Sequence, residues 1–309
     1  MSASSSTTVV KRLLTYMNCS QATLSTVADG TGIDDRGTVK AAHPFEGGAL
    51  DRGSTCGVVS GGCLAIALAN EAGLASGDPR RRDDVYCQLK QYTTWFERSF
   101  GSTLCRERIG TPLTTPGGIA TYLFSGRVYT RCARHAGPAA ERLVRQLSCR
   151  CDSPDPGGGS IRSGFCAGPV LRRIRMETGG GDELLEVISV GLDGGVGLSG
   201  GLCGALSGAL LAFGATWGID PGVTGLRGTF RSFFENEYNG VKHADGPGLW
   251  SAGRIIERFR KEFGSLECHD IARPFDSVEE LETFMGSSST CDKALDWCAA
   301  EGSVLIGRG

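Results

Sequence analysis

The chain has 309 residues, enough for two domains of ordinary size that bury their cores without disulfide help. Its 32 basic and 34 acidic residues are mixed along the chain and leave a net charge of −2, which excludes the basic stripe of a nucleic-acid binder and the polybasic run of a membrane-surface protein. Against this ordinary background stand 47 glycines and 13 cysteines, while only four histidines (His43, His135, His243 and His269) argue against a histidine-rich metal site.

In chain order, the opening MSASSSTTVVKRLL has no early basic region followed by a long apolar stretch, so it does not read as a secretory signal, and a cytoplasmic location is expected. There, thiols serve as ligands or redox groups more often than as structural disulfides. The segment TTVVKRLLTYMNCSQATLSTVA carries apolar residues near helical spacing. A glycine-rich turn then leads into CGVVSGG, the start of a small-residue helix. RRDDVYCQLKQYTTWFERSFG and GPAAERLVRQLS read as amphipathic helices. CRCDSPDPGGGS (149–160) has the composition of a linker. Beyond it, LEVISVGL (185–192) is a strand candidate, CGALSGALLAFG is a second small-residue helix, and GLWSAGRIIERFRKEFG and SVEELETFMG are again amphipathic helices.

The two halves repeat one another. At an offset of 147 residues, EGGALDRGSTCGVVSGGCL (46–64) lies over DGGVGLSGGLCGALSGALL (193–211), and the same offset carries Cys19 onto Cys166. FERSFGSTLC then matches FRKEFGSLEC, and one further cysteine follows each. Two quartets result: Cys19, Cys56, Cys105, Cys132 and Cys166, Cys203, Cys268, Cys291. The expected architecture is all-α, with two tandem homologous helical domains built on glycine- and alanine-rich central helices, at residues 8–150 and 164–309, joined by a linker at 151–163.

Cys56 and Cys203 each open a small-residue helix, where exposed amides favour a thiolate. In FGSTLC and FGSLEC, a glycine able to adopt the left-handed conformation ends the helix and returns a cysteine toward the core. Four converging sulfurs suit a tetrahedral zinc or an iron-sulfur cluster, and the same cysteines also suit two dithiol pairs. The wide spacing is unlike the close Cys-x-x-Cys pairs of zinc fingers and ferredoxins, and the absence of Cys-x-x-Cys-His excludes covalent c-type haem.

Five cysteines fall outside the quartets: Cys63, aligned with Leu210 and therefore a core residue; Cys87; Cys149 and Cys151 in the linker region, either of which is an alternative to Cys132; and Cys298, two helical turns beyond Cys291 and an alternative to it. GVGLSG (195–200) matches a dinucleotide-binding fingerprint, but the first copy reads GALDRG at that place and no alternation of strands and helices surrounds it, so the glycines are read as a turn. Residues 194–219 and 53–70 carry no charge, but they are diluted by glycine, serine and threonine and read as buried helices rather than membrane spans.

NCSQA, CGVVSG and CGALSG, FGSTLC and FGSLEC, and the last cysteine of each half together resemble the C_GCAxxG_C_C family of redox-active proteins, in two tandem copies. They are also similar to the non-haem part of split-Soret cytochromes. The resemblance implies that the eight cysteines hold iron-sulfur centres, zinc being the alternative metal, in an electron-transfer protein served by a redox partner and folded as an intramolecular pseudo-dimer. Ser60 and Ser207 are expected to supply hydrogen bonds that tune the potential. A metal-free thiol-disulfide oxidoreductase and a zinc-stapled, non-catalytic binding module are the alternatives. Two departures stand out: Val58 occupies the signature's alanine position, and FCAGP replaces NCSQA in the second copy.

Overall fold

The structure is a computed structural model that describes residues 4–126, 128–148, 164–225, 227–229 and 248–307; the linker, with Cys149 and Cys151, lies outside them. The fold is all-α: among the described residues there is no strand, and the only β pairing consists of two isolated antiparallel bridges, Thr55 with Leu104 and Leu202 with Glu267.

The first helical segment divides in two. Met17, at φ 54°, closes α1 (Ser5–Tyr16), and the Asn18 side chain accepts the Gln21 amide at 3.0 Å to open α2 (Cys19–Thr31). A short α3 (Arg36–Ala41) and a 3-10 turn (His43–Phe45) lead to the glycine loop and the central helix α4 (Gly57–Ala69). After α5 (Glu71–Ala75), the long α6 (Pro79–Phe100) ends at Gly101, φ 89°, as its glycine predicts. Next come α7 (Cys105–Ile109), α8 (Pro116–Phe124), a π-helical turn (Val128–Ala133) and α9 (Arg134–Ser148).

The second half repeats this plan with α10 (Ala167–Thr178), α11 (Glu183–Ile188), a 3-10 turn (Ser189–Leu192) and the central helix α12 (Gly204–Trp217). It closes with α13 (Trp250–Phe263), α14 (Cys268–Ile271), α15 (Val278–Met285) and α16 (Ser289–Ile306). The strand expected at 185–192 is therefore corrected to helix. Asp182 caps it by accepting the Leu185 amide at 2.8 Å, and the whole run is buried. A short apolar run has no period that separates a strand from a fully buried helical turn.

The central helices are apolar on every side and buried on every side, from Gly57 to Leu68 and from Gly204 to Gly214. Among the described residues no helix is long and apolar enough to cross a membrane. Each central helix lies directly on the helix that begins at its repeat's first cysteine, because glycine removes the side chain from the contact. A Cβ placed on Gly61 would lie 2.3 Å from the Ser20 carbonyl oxygen, and one on Gly208 would lie 2.4 Å from that of Ala167.

The repeats interlock. The start of α3 to the 3-10 turn of the first repeat packs on α12, where Gly214 meets the Ala41 carbonyl, and the 3-10 turn of the second packs on α4, where Gly191 meets that of Cys63. Lys40 Nζ donates to the Ala215 carbonyl at 2.8 Å and to that of Thr216 at 3.2 Å, placing a cation on the C-terminal end of α12. Gln21 Nε2 donates to the Ile219 carbonyl at 2.7 Å, and the Ile219 amide donates to His43 Nδ1 at 3.2 Å.

Gly208→Ala is expected to destabilise the protein by about 2 to 3 kcal/mol, since the helix pair must separate to admit a methyl group. Gly117→Ala, where nothing lies within 4 Å of the new Cβ, is expected to be neutral or slightly stabilising. Urea denaturation of the two variants checks the contrast.

Candidate functional site: two buried cysteine centres

Each centre is built around a loop of left-handed backbone. Gly47, Gly48, Ala49, Leu50 and Asp51 have φ between 46° and 75°, and Gly194, Gly195, Val196, Gly197 and Leu198 between 58° and 81°. Five consecutive left-handed residues are a left-handed helical turn, which costs roughly 1 to 2 kcal/mol for each residue bearing a Cβ. Val196 is the most strained, because it is β-branched and sits at φ 64°. The turn is held by its own amides, for example Gly53 N to Gly47 O at 3.0 Å and Gly200 N to Gly194 O at 3.1 Å. This is the turn expected from the shared glycines, and it includes GVGLSG.

From this loop the chain runs straight into the bridge and the second cysteine. The Cys56 amide donates to Thr103 O at 2.7 Å and the Cys105 amide to Ser54 O at 2.7 Å; in the second repeat Cys203 N reaches Leu266 O at 2.8 Å and Cys268 N reaches Gly201 O at 2.6 Å. The second and third cysteines of each quartet are thereby pinned side by side. Cys56 and Cys203 are the residues that cap α4 and α12, and Cys105 and Cys268 begin α7 and α14. The first cysteine arrives by the close helix contact: a Cβ on Gly57 would lie 2.3 Å from Cys19 Sγ, and one on Gly204 would lie 2.5 Å from Cys166 Cβ. The fourth comes from the π-helical turn, as Cys132, or from the first turn of α16, as Cys291. A π-helical turn is uncommon and recurs at functional sites.

The structure thus brings each quartet together within its own repeat. Cys19, Cys56, Cys105 and Cys132 lie close enough that negative charge on one opposes negative charge on the others. Cys166, Cys203, Cys268 and Cys291 line one cavity, closed by apolar side chains that include Phe275, Leu281 and Leu295. The described cysteines are free thiols. Cys63 is fully buried and serves the core, Cys87 is exposed on α6, and Cys298 is fully buried behind Cys203 without lining the cavity.

Backbone amides point at the sulfurs. Gly47 and Gly194 of the left-handed loops donate to Cys19 and Cys166, Val58 and Val59 donate to Cys56, and Ala205 and Leu206 donate to Cys203. The expected thiolate does not follow. Burial outweighs the helix amides and pushes Cys56 up to about 12 and Cys203 up to about 11. A second correction concerns Ser60 and Ser207. They lie inside their helices with Oγ buried and without a hydrogen-bond partner, so they do not reach the sulfurs.

The replacement of NCSQA by FCAGP is explained by the other side of the contact. In the first repeat Asn18 caps α2 and donates to Glu46 Oε2 at 2.9 Å. In the second, Asp193 at the position of Glu46 does the capping itself, accepting from the amides of Phe165, Cys166 and Ala167 at 2.6 to 3.0 Å and from the Tyr86 hydroxyl at 2.6 Å. Tyr86 belongs to the first repeat, so the cap is shared between repeats.

Three residues that the motifs did not single out also reach the first centre. His135, fully buried, places Nε2 at 3.6 Å from Cys56 Sγ, and the Tyr122 hydroxyl lies 3.1 Å from Cys132 Sγ. Arg108 sits near enough to favour negative charge on Cys56 and Cys132. The signal for two of them was present in the spacing: Cys105 to Arg108 and Cys132 to His135 are both three residues apart, one helical turn on one face. Burial and the neighbouring Arg108 hold the His135 imidazole neutral, with its pKa lowered to about 3.

Four clustered cysteines, three of them buried and two of them receiving backbone amides, gain little from those amides as neutral thiols, whereas they suit a cationic group that shares their charge. By the chemistry of its donors, four cysteine sulfurs, the set suits a thiolate-bound metal or cluster. Among the described residues no three His, Cys, Asp or Glu side chains stand close enough together to grip one ion directly.

The model of the family described as "Putative redox-active protein (C_GCAxxG_C_C)" matches residues 17–146 and 165–301, one segment for each repeat. No curated protein and no solved structure matches the chain.

With Cys56 at about 12 and Cys203 at about 11, folded thiols stay protonated where unfolded thiols ionise. Stability of the metal-free, reduced protein is therefore fully present below about pH 8.5 and falls as pH rises beyond it, by up to about 1.4 kcal/mol per pH unit for each such thiol. Denaturant titrations between pH 7 and 10.5 read the slope. In the same preparation at pH 8, exposed Cys87 is expected to be alkylated at least about a hundred-fold faster than Cys56 or Cys203; peptide mapping gives the ratio.

Proposed function

We propose, for a chain that belongs to the C_GCAxxG_C_C family over both of its halves, that it is an electron-transfer protein with an iron-sulfur cluster at each cysteine quartet. The observation that carries this reading is the convergence, twice in one chain, of four cysteines, three buried and one half-buried, with backbone amides aimed at the first two of each set. Cys19, Cys56, Cys105 and Cys132 would hold one cluster, and Cys166, Cys203, Cys268 and Cys291 the other. Such a cluster supplies a reversible one-electron couple when bound. The chain's own contribution is to fix the sulfurs on helix starts, to donate amide hydrogen bonds that spread their charge, and to exclude water with the apolar side chains around them.

The two centres adjoin. The Leu202 amide donates to Thr55 Oγ1 at 2.7 Å, and each of these residues precedes a cysteine, so Cys56 and Cys203 have Cα atoms no more than about 14 Å apart. Across the same junction Arg106 Nη1 meets Glu267 Oε1 at 2.5 Å, again one residue from a cysteine on each side. That proximity supports passage of electrons between centres, with a redox partner protein at one or both ends.

The metal-free oxidoreductase requires an accessible, acidic thiol; Cys56 and Cys203 are buried, and burial raises both. A zinc staple would draw on the same eight cysteines, and the metal counted on the purified protein separates it from a cluster.

Protein purified without oxygen is expected to absorb between about 320 and 450 nm and to contain iron and sulfide, with Cys56→Ser and Cys203→Ser each losing about half of both. A colourless protein with close to two zinc ions per chain overturns the reading in favour of structural sites, and a metal-free one overturns it in favour of thiol chemistry.

A further inference from the structure

The two centres share a cysteine plan but differ in what surrounds it. Arg108 lies three residues after Cys105, and the matching position after Cys268 is Ile271. His135 lies three residues after Cys132, and the matching position after Cys291 is Ala294. At the first centre the Tyr122 hydroxyl reaches Cys132 at 3.1 Å, whereas at the second the Met285 thioether lies 4.0 Å from Cys166. Ile271, Met285 and Ala294 all line the second cavity. A guanidinium, an imidazole and a phenol in one centre thus stand against three apolar side chains and a single hydroxyl, Ser288 donating to Cys291, in the other.

The carboxylates nearby do not cancel this difference. Glu46 and Asp193 occupy the same position in the two repeats and face Cys19 and Cys166 respectively. Asp51, which faces Cys105, shares its cleft with Arg52 and Arg106. Arg108 faces Cys56 and Cys132 from a pocket against the Phe100 ring, 5.6 Å from its centroid, with Nε buried and unpartnered. Toward a thiolate sulfur the Tyr122 hydroxyl acts as a donor, and so does His135 Nε2 in the tautomer that carries its proton there.

We propose that Arg108, His135 and Tyr122 make the first centre the electron acceptor of the pair and leave the apolar second centre as its donor. This rests on the redox reading above. Positive charge and donated hydrogen bonds stabilise the extra negative charge of a reduced centre, and an apolar shell opposes it, so the first centre has the higher potential. One electron leaves the second centre and one arrives at the first, with no bond made or broken; the second is refilled by a one-electron donor protein. The sign is the same for dithiols, because stabilising the thiolate form also raises the potential.

The test is a redox titration of the whole chain poised with dithionite and ferricyanide, wild type beside Arg108→Leu, Arg108→Lys and Tyr122→Phe. The wild type should give two waves. Arg108→Leu should move the upper wave toward the lower and leave the lower in place, Arg108→Lys should restore most of the separation, and Tyr122→Phe, which removes only a hydroxyl, should move the upper wave in the same direction. A single wave in the wild type, or variants that move both waves equally or neither, overturns the proposal. Iron and sulfide counted on the same samples decide the cluster reading separately. In a metal-free protein the waves are followed as mass-mapped thiol oxidation, and the same order and shifts decide the inference.

Discussion

The contact without side chains between each central helix and the helix carrying the first cysteine is the constraint on which the rest depends. Gly57 and Gly61 bring α4 onto the start of α2, and Gly204 and Gly208 bring α12 onto the start of α10. Any Cβ at these places would collide with backbone or with the first cysteine itself. Two cysteines from segments 37 residues apart are thereby delivered to one point by main-chain geometry rather than by side-chain reach. The left-handed turns follow from the same demand. The chain must reverse between the 3-10 turn and the central helix within a few residues while directing an amide at the first sulfur, and the strain in Val196, Leu198 and their counterparts is borne by the buried, hydrogen-bonded packing around them.

That packing also sets the chemistry. A cysteine on an exposed helix start would be acidified by the helix amides; here the same amides compete with burial and lose. Amides aimed at a buried sulfur do little for a neutral thiol and much for a charged one, so the arrangement is matched to sulfurs whose charge is shared with a bound cation. Helix, loop and apolar lining all serve that end, while Ser60 and Ser207, which looked suited to it by spacing, face into their own helices' packing without partners.

The parts legible in the sequence were those that the repeat states twice. The first three cysteines of each quartet, the small-residue central helices, the glycine turns and the helix-ending Gly101 and Gly264 all lie in motifs that the two halves share, and backbone demands of this kind leave glycine as their signature. The run at 185–192 was not legible, because a buried helix and a buried strand look alike over eight apolar-rich residues. Arg108, His135 and Tyr122 were missed for a different reason. Comparing the halves draws the eye to what they share, and these three residues are what they do not share. Asp193 illustrates the same blindness: it aligns with Glu46, and only the structure shows that it has taken over the capping role of Asn18.

A symmetric homodimer of such a repeat would be bound to two identical centres, since every substitution appears in both subunits. Fusion into one chain removes that restriction while keeping the dimer's contacts. Here α6 of the first repeat braces the second repeat's loop, with Lys90 Nζ on Leu198 O at 3.2 Å and Thr93 Oγ1 on Gly197 O at 3.0 Å, and α13 of the second braces the first repeat's loop through Glu257 and Arg52 at 3.0 Å. Each centre is thus supported from across the interface, so neither repeat has been free to drift from the shared backbone plan. Side chains facing the sulfurs carry no such burden, and it is there that the copies differ. The interlock preserves two centres of one geometry, and the fusion allows that geometry to be polar on one side and apolar on the other.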